Sequence, residues 1–500
     1  MRLVIRESIA YEIKGLVGKI MVNIRFLKKT LLCAVMIAAV PAFGAERERL
    51  TTVKDQKEVS VTIYNEDLAL VKDVRRMKLG SGVNQLAWRD VSAKIRPETG
   101  SLRNLTHPKD FYLIEQNFDF DLLTPHKLLE KYTGREIEEI KTNPATGVES
   151  REAATVLSTH DGVVLKFPDR IETNPSGRFA FKSVPDNLRD RPTLVISLSN
   201  AIEDEQELEL SYLTGGLSWR ADYVVELNAK DNQLDLNGWV TLTNMSGAAY
   251  KNAHLQLVAG DIHRVRAEFQ DAMPLATPRA MAKAAPEMAE EGLFEYHLYT
   301  LDRPTTISEN QTKQVALLSA LQVPVKKEFI LAGNNIYYTS SYGDIGQKLK
   351  VGVFVEFENK GKSLGIPLPK GIVRVYKKDS KGNAQFVGED RIDHTPKHEK
   401  VRLKLGDAFD VTADKKQTGF SKLSGTGLYN YVYESAYQID LKNAKDEAIN
   451  VKVIEPIPGD WEMISESHAH MKEASNTAVW NVAVPANGKT TLTYKVRVRR

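Results

Sequence analysis

The chain has 500 residues, 42% of them apolar and 8% aromatic, with a formal charge of +3 and a single cysteine. Length and apolar content suffice for two to four cored domains. Interspersed charges of both signs leave no broad electrostatic footprint for nucleic acid or anionic lipid, and the low aromatic content argues against the girdles of an outer-membrane barrel.

Residues 1–44 read as a leader, with a secretory signal peptide at 21–44. Arg25, Lys28 and Lys29 form a positive start, residues 31–40 an apolar run, and Ala42-Phe43-Gly44 a small-residue cleavage site. The run of ten is half of the roughly 20 residues a spanning helix needs, so cleavage rather than anchoring is expected, with no transmembrane segment left afterwards. A start at Met21 would give this signal its ordinary form. Cys33 opens the apolar run instead of following it, which disfavours lipidation. Beyond the leader, 61 Lys and Arg stand against 63 Asp and Glu, so the basic charge belongs to the leader. The remaining chain has no thiol for a disulfide or a nucleophile. A periplasmic protein is expected, with an extracellular one as the variant.

Alternating apolar residues predict a mostly β chain: a multi-domain β-sandwich of immunoglobulin-like type. An N-terminal β-domain is expected over 50–203, opening with a strand at 59–64 and closing around 194–198. Within it, Thr124 as N-cap, Pro125 at the first helical position and Gly134 as the stop predict a short helix over 125–132. Short β-like runs over 134–183 then predict a small five-strand barrel.

A sandwich region follows over 204–500. Clear strands are Leu234, Leu236, Gly238, Val240 and Leu242 with their polar alternates, and Leu349 through Phe357. Strands ending in Asn244, Asn359 and Asn443 share one pattern, an amide at a strand end followed by a polar or glycine-containing turn, where the side chain bonds the turn backbone. Residues 264–292 break the alternation with Met273-Pro274, Thr277-Pro278 and Ala285-Pro286, which predicts a flexible inserted loop or a docking helix. At the C-terminus, Val482 and Val484 lead through Asn487-Gly488 to Leu492, Tyr494, Val496 and Val498, a hairpin pattern.

Two stretches could carry metal chemistry. Glu389, Asp390, Asp393, His394 and His398 lie close in sequence, but Pro396 breaks the helix that would align the histidines, leaving loop convergence or a solvated turn. His468 and His470 would share a strand face or sit exposed at its end. Neither nucleophile elbow, phosphate loop nor dinucleotide fingerprint occurs, and no carboxylate pair is singled out by spacing.

The run Leu208-Glu-Leu-Ser-Tyr-Leu-Thr-Gly-Gly-Leu-Ser-Trp-Arg-Ala-Asp-Tyr223, followed by Leu236-Asn-Gly-Trp-Val-Thr-Leu-Thr-Asn244, resembles the bacterial domain of unknown function 4139 family, which takes in mucoidy inhibitor A-like proteins. Tyr299-Thr-Leu-Asp-Arg-Pro304, Pro367-Leu-Pro-Lys-Gly-Ile-Val-Arg-Val-Tyr376, Phe386-Val-Gly-Glu-Asp390 and Asp393-His-Thr-Pro396 extend the likeness over most of 205–500. The early coiled coil of the mucoidy-type members has no counterpart in sustained heptads here. The resemblance implies a β-sandwich envelope protein and carries over neither catalytic residues nor a cofactor.

After the Gly215-Gly216 turn, Trp219 and Arg220 could stack as a ligand platform, or form a core Trp with Arg at a sheet edge. The expectation is a non-catalytic protein that binds an envelope protein or glycan through sheet edges or the 264–292 segment. The alternative is a metal-dependent or carboxylate-based enzyme or binder acting on envelope polysaccharide or peptide, with no resident metal assigned.

Overall fold

The computed structural model describes residues 48–500 apart from 66, 120, 186–187, 261–287, 362–363 and 425–428. The leader, Cys33 and residues 264–287 of the expected loop therefore lie outside the described residues.

The first sandwich packs a four-stranded sheet against an eight-stranded one. In the smaller sheet, Gly82–Arg89 and Phe111–Asp119 flank Thr193–Asn200, both antiparallel to it, and Arg49–Thr51 adds a parallel edge. The larger runs through Gln56–Tyr64, Leu68–Leu79 and Asp204–Thr214, and reaches Tyr250–Ala259, Met288–Leu293 and Tyr296–Leu301. Period-two alternation turns Val59, Val61 and Ile63 inward from one sheet and Leu86 and Trp88 from the other. Between them, Asp73 accepts from Trp88 Nε1 at 2.9 Å and from Arg75 Nε at 2.9 Å, and the Arg75 guanidinium lies 4.6 Å over the Trp88 ring.

The boundary expected at 203/204 does not separate two cores. Thr193–Asn200 and Asp204–Thr214 belong to the two faces of one sandwich, and a single buried cluster runs from Val59 to Leu403. The last residues of the expected loop also differ: Met288–Leu293 pairs antiparallel with Tyr296–Leu301, because ladder hydrogen bonds support a strand that lacks apolar alternation.

Between Phe111–Asp119 and Thr193–Asn200 in sequence lies a module with its own core of Leu129, Tyr132, Ile137, Val156 and Phe167 among others. Thr124 Oγ1 accepts from Lys127 N at 3.1 Å and so caps the helix Pro125–Lys131; Gly134 follows at φ +80°. Five strands follow, but they form an open sheet. Ile171–Thr173 and Arg178–Ala180 are its two edges and do not pair with each other, so no barrel closes.

The rest is one continuous thirteen-stranded assembly. The 22-residue strand Gln311–Ala332 pairs first with Gln233–Asn244 and then, past a positive-φ Gln322, with Asp344–Glu358 and Ile449–Pro456. Lys400–Ser424, 25 residues long, pairs in turn with Asp344–Glu358 and Tyr431–Asn443. These two strands carry the chain from a middle sandwich into a C-terminal one with a separate core around Val451, Trp480 and Val496.

The C-terminal hairpin does not form. Thr477–Val484 pairs with Ile449–Pro456, while Gly488–Arg499 pairs with Tyr431–Asn443 and Asp460–Glu466. Asn487 still adopts φ +48°, but its Nδ2 donates to Asp446 at 3.0 Å and its N–H to the Lys445 carbonyl, so the turn joins two different ladders. Among the described residues no helix is long and apolar enough to cross a membrane.

Candidate functional site

Consecutive residues of a strand point to opposite faces, so Trp219 and Arg220, both on Leu217–Leu227, do not stack. Trp219 is buried and meets Tyr299 edge-to-face at 6.5 Å. Arg220 is half exposed on the other face and donates from Nε to Asp222 at 3.1 Å. Asp222 also accepts from Thr241 Oγ1 at 2.7 Å and from Arg374 Nη1 at 3.0 Å. Burial pushes its carboxyl up, but the bonds from Thr241, Arg374 and Arg220 outweigh that and hold it below the usual value.

The motifs behind the resemblance converge in space. Tyr223 donates its hydroxyl to the Pro369 carbonyl and Tyr299 to that of Pro367, each at 2.8 Å. Burial pushes both phenols well up, so both remain donors. Leu368 bridges to Thr395, and Lys370 N–H donates to His394 Nδ1 at 3.3 Å. Asn359 closes the arrangement: its Nδ2 donates to Ile366 and Pro396 carbonyls at 2.7 and 2.9 Å, and its Oδ1 accepts from Gly365 N–H. At the rim, Glu290 reaches His297 at 2.9 Å and Lys397 at 3.6 Å. The arrangement ties the 367–371 and 394–398 loops to the strands beneath them.

The residues proposed for a metal do not come together. Glu389 pairs with Arg374 at 3.3 Å, Asp390 accepts from Lys404 N–H at 2.7 Å, and Asp393 is exposed. His394 serves the backbone of Lys370, and exposed His398, at φ +66°, donates its N–H to the Asn359 carbonyl. His470 bonds Glu466 at 2.9 Å between Trp461 and Trp480, while His468 bonds Ser467. Among the described residues, no group of three or more His, Cys, Asp or Glu is placed to hold an ion.

A different surface has the geometry for binding. Phe111–Asp119 ends its sheet and bonds only Thr193–Asn200 among the described strands. Tyr112, Leu113 and Ile114 all stand exposed on it, Tyr112 at 65% and Ile114 at 51%. Ile114 is the extra residue of a bulge, since Leu198 faces Leu113 and Ser197 faces Glu115. Beside it lies Ser101–Asn104, the edge of the opposite sheet, and the two edges frame a 380 Å³ cleft lined by Leu102, Leu105, Pro108 and Phe111 among others. The signal in the sequence was Tyr112-Leu113-Ile114, three apolar residues without alternation, which a strand with one solvated face does not otherwise carry.

Fused sandwiches joined by strands that pass from one to the next, with an open sheet edge and the motif loops locked by backbone bonds, define a β-sandwich protein of modular build. The chain belongs to the DUF4139 family, a domain of unknown function, whose model matches residues 208–500. No curated protein matches the chain.

Proposed function

We propose that this is an exported, non-catalytic protein of the cell envelope, periplasmic in location, that binds an extended segment of another envelope protein at the edge strand Phe111–Asp119. The apolar edge, which pairs on one side only among the described strands, carries the reading. An incoming strand gains main-chain hydrogen bonds from an unpaired edge, and a neighbouring cleft selects one of its alternate side chains. The cleft between Leu102 and Phe111 supplies that element. Charged residues usually guard such edges; here the row of side chains is apolar as far as Glu115. Export rests on the leader pattern at 21–44.

A photo-crosslinking residue at position 112, irradiated in intact cells, tests the reading. One discrete protein adduct is expected in the periplasmic fraction, and Ile114→Lys should abolish it while leaving the unfolding midpoint unchanged. No adduct, or one indifferent to Ile114→Lys, would remove the edge as the binding site. Cytoplasmic fractionation with an intact leader would remove export.

A further inference from the structure

The C-terminal sandwich carries a second surface, independent of the edge strand, and we propose that it binds an acidic glycan. Lys400–Ser424 and Tyr431–Asn443 pair so that Lys422 stands opposite Tyr433 and Ser424 opposite Tyr431. Phe420 and Tyr433 then lie with centroids 6.0 Å apart and planes 25° apart, and Tyr433 and Tyr431 at 6.2 Å and 21°. Tyr431 is 48% exposed. Three nearly parallel rings thus form a shelf running outward from the core.

One cation lies against it and a second lies farther along the sheet, past buried Val498. Lys422 Nζ lies 4.6 Å over the Tyr431 ring. The row through Lys422 and Tyr433 continues across the sheet to Val498 and then Trp461, and Lys472 Nζ lies 4.6 Å over the Trp461 ring. From Lys422 to Trp461 the row crosses three inter-strand steps, about 14 Å. Both lysines are exposed, and neither pairs with a carboxylate among the described residues.

This chemistry differs from that of the edge strand. Tyr431–Asn443 is paired on both sides, so no strand can add there and recognition must come from side chains alone. Aromatic faces suit the C–H surface of a pyranose ring, and ammonium groups held over rings keep N–H donors on their outward side to meet carboxylates. Because those ammonium groups have no carboxylate of their own, the shelf attracts anions. A uronic-acid polymer satisfies both halves.

The test is a titration of the purified full chain at low ionic strength with hexagalacturonate and with uncharged cellohexaose. Hexagalacturonate should bind and cellohexaose should not. Lys422→Gln and Tyr431→Ala should each weaken binding roughly tenfold, while Tyr431→Phe and Ile114→Lys should bind as the parent does. Failure of the parent to bind hexagalacturonate overturns the proposal, as does equal binding of cellohexaose. Loss in Lys422→Gln with none in Tyr431→Ala also overturns it, since bare charge would then suffice. An unchanged unfolding midpoint in each variant ties any loss to the shelf.

Discussion

Lys415 and Glu455 form an ion pair inside the C-terminal sandwich, with side chains 3% and 0% exposed. Tyr338 donates its hydroxyl to Glu455 Oε2 at 2.8 Å and shares a hydrogen bond with Tyr494, while Lys415 Nζ lies over the Tyr337 and Tyr437 rings. Two charges out of water gain little net stability as a pair, but either one alone is costly. Glu455→Ala should therefore destabilise by about 3–5 kcal/mol. The double variant Lys415→Met, Glu455→Leu should recover most of that loss, as read by urea unfolding. A small single-variant loss would mean that water reaches the pair.

Two of the three asparagine corners, at Asn244 and Asn443, share one bond pattern, whereas Asn359 accepts from Gly365 and donates to Ile366 and Pro396. Asn244 and Asn443 each accept at Oδ1 from the N–H two residues on and donate from Nδ2 to the carbonyl four residues on, Ala248 and Glu447. Each also reaches a later segment, Ser308 in one case and Pro485 in the other. Asn443→Asp keeps the acceptor and loses both donations, so it should cost nearly as much as Asn443→Ala, about 1–3 kcal/mol. If Asp proved neutral, the Nδ2 bonds would not matter.

Two buried tryptophans should respond differently to the same change. Trp88 donates from Nε1 to Asp73, whereas Trp219 Nε1 has no acceptor among the described residues. Both lose ring contact on replacement by Phe. Only Trp88→Phe also strips a bond from buried Asp73, and it should cost about 1–3 kcal/mol more than Trp219→Phe in chemical denaturation. Equal losses would show that packing alone sets both values.

Asp222 should set part of the acid response. Its folded carboxyl titrates below the ordinary value of 3.8, so the stability it contributes is full above that value and is lost as pH falls through the lowered one. The stability gap between the parent and Asp222→Asn should hold from neutral pH to about pH 5, then shrink below about pH 4. A gap that stayed constant to pH 2.5 or so would mean that the carboxyl titrates normally.

The features legible in the sequence rest on local chemistry. Thr124 caps its helix because an N-cap oxygen needs only the N–H of Lys127, three residues on. The corners at Asn244 and Asn443 were legible because their first bonds close within four residues. Asn487-Gly488 had the right local conformation but the wrong consequence, since nothing near it states which ladder each flanking strand joins. Glu389 through His398 looked like a cluster in one dimension; strand direction and the demands of Lys370, Lys404 and Arg374 separated them.

By itself, the sequence determined the β character of the chain, its local caps and corners, and the leader pattern, because alternation, capping and signal segments act over a few residues. Only the tertiary structure decided that the 203/204 boundary divides no core, that the small module stays an open sheet, and that Phe111–Asp119 is an edge while Tyr431–Asn443 is not. Strand pairing is chosen between segments far apart in the chain, where the residues that meet carry no local mark of each other.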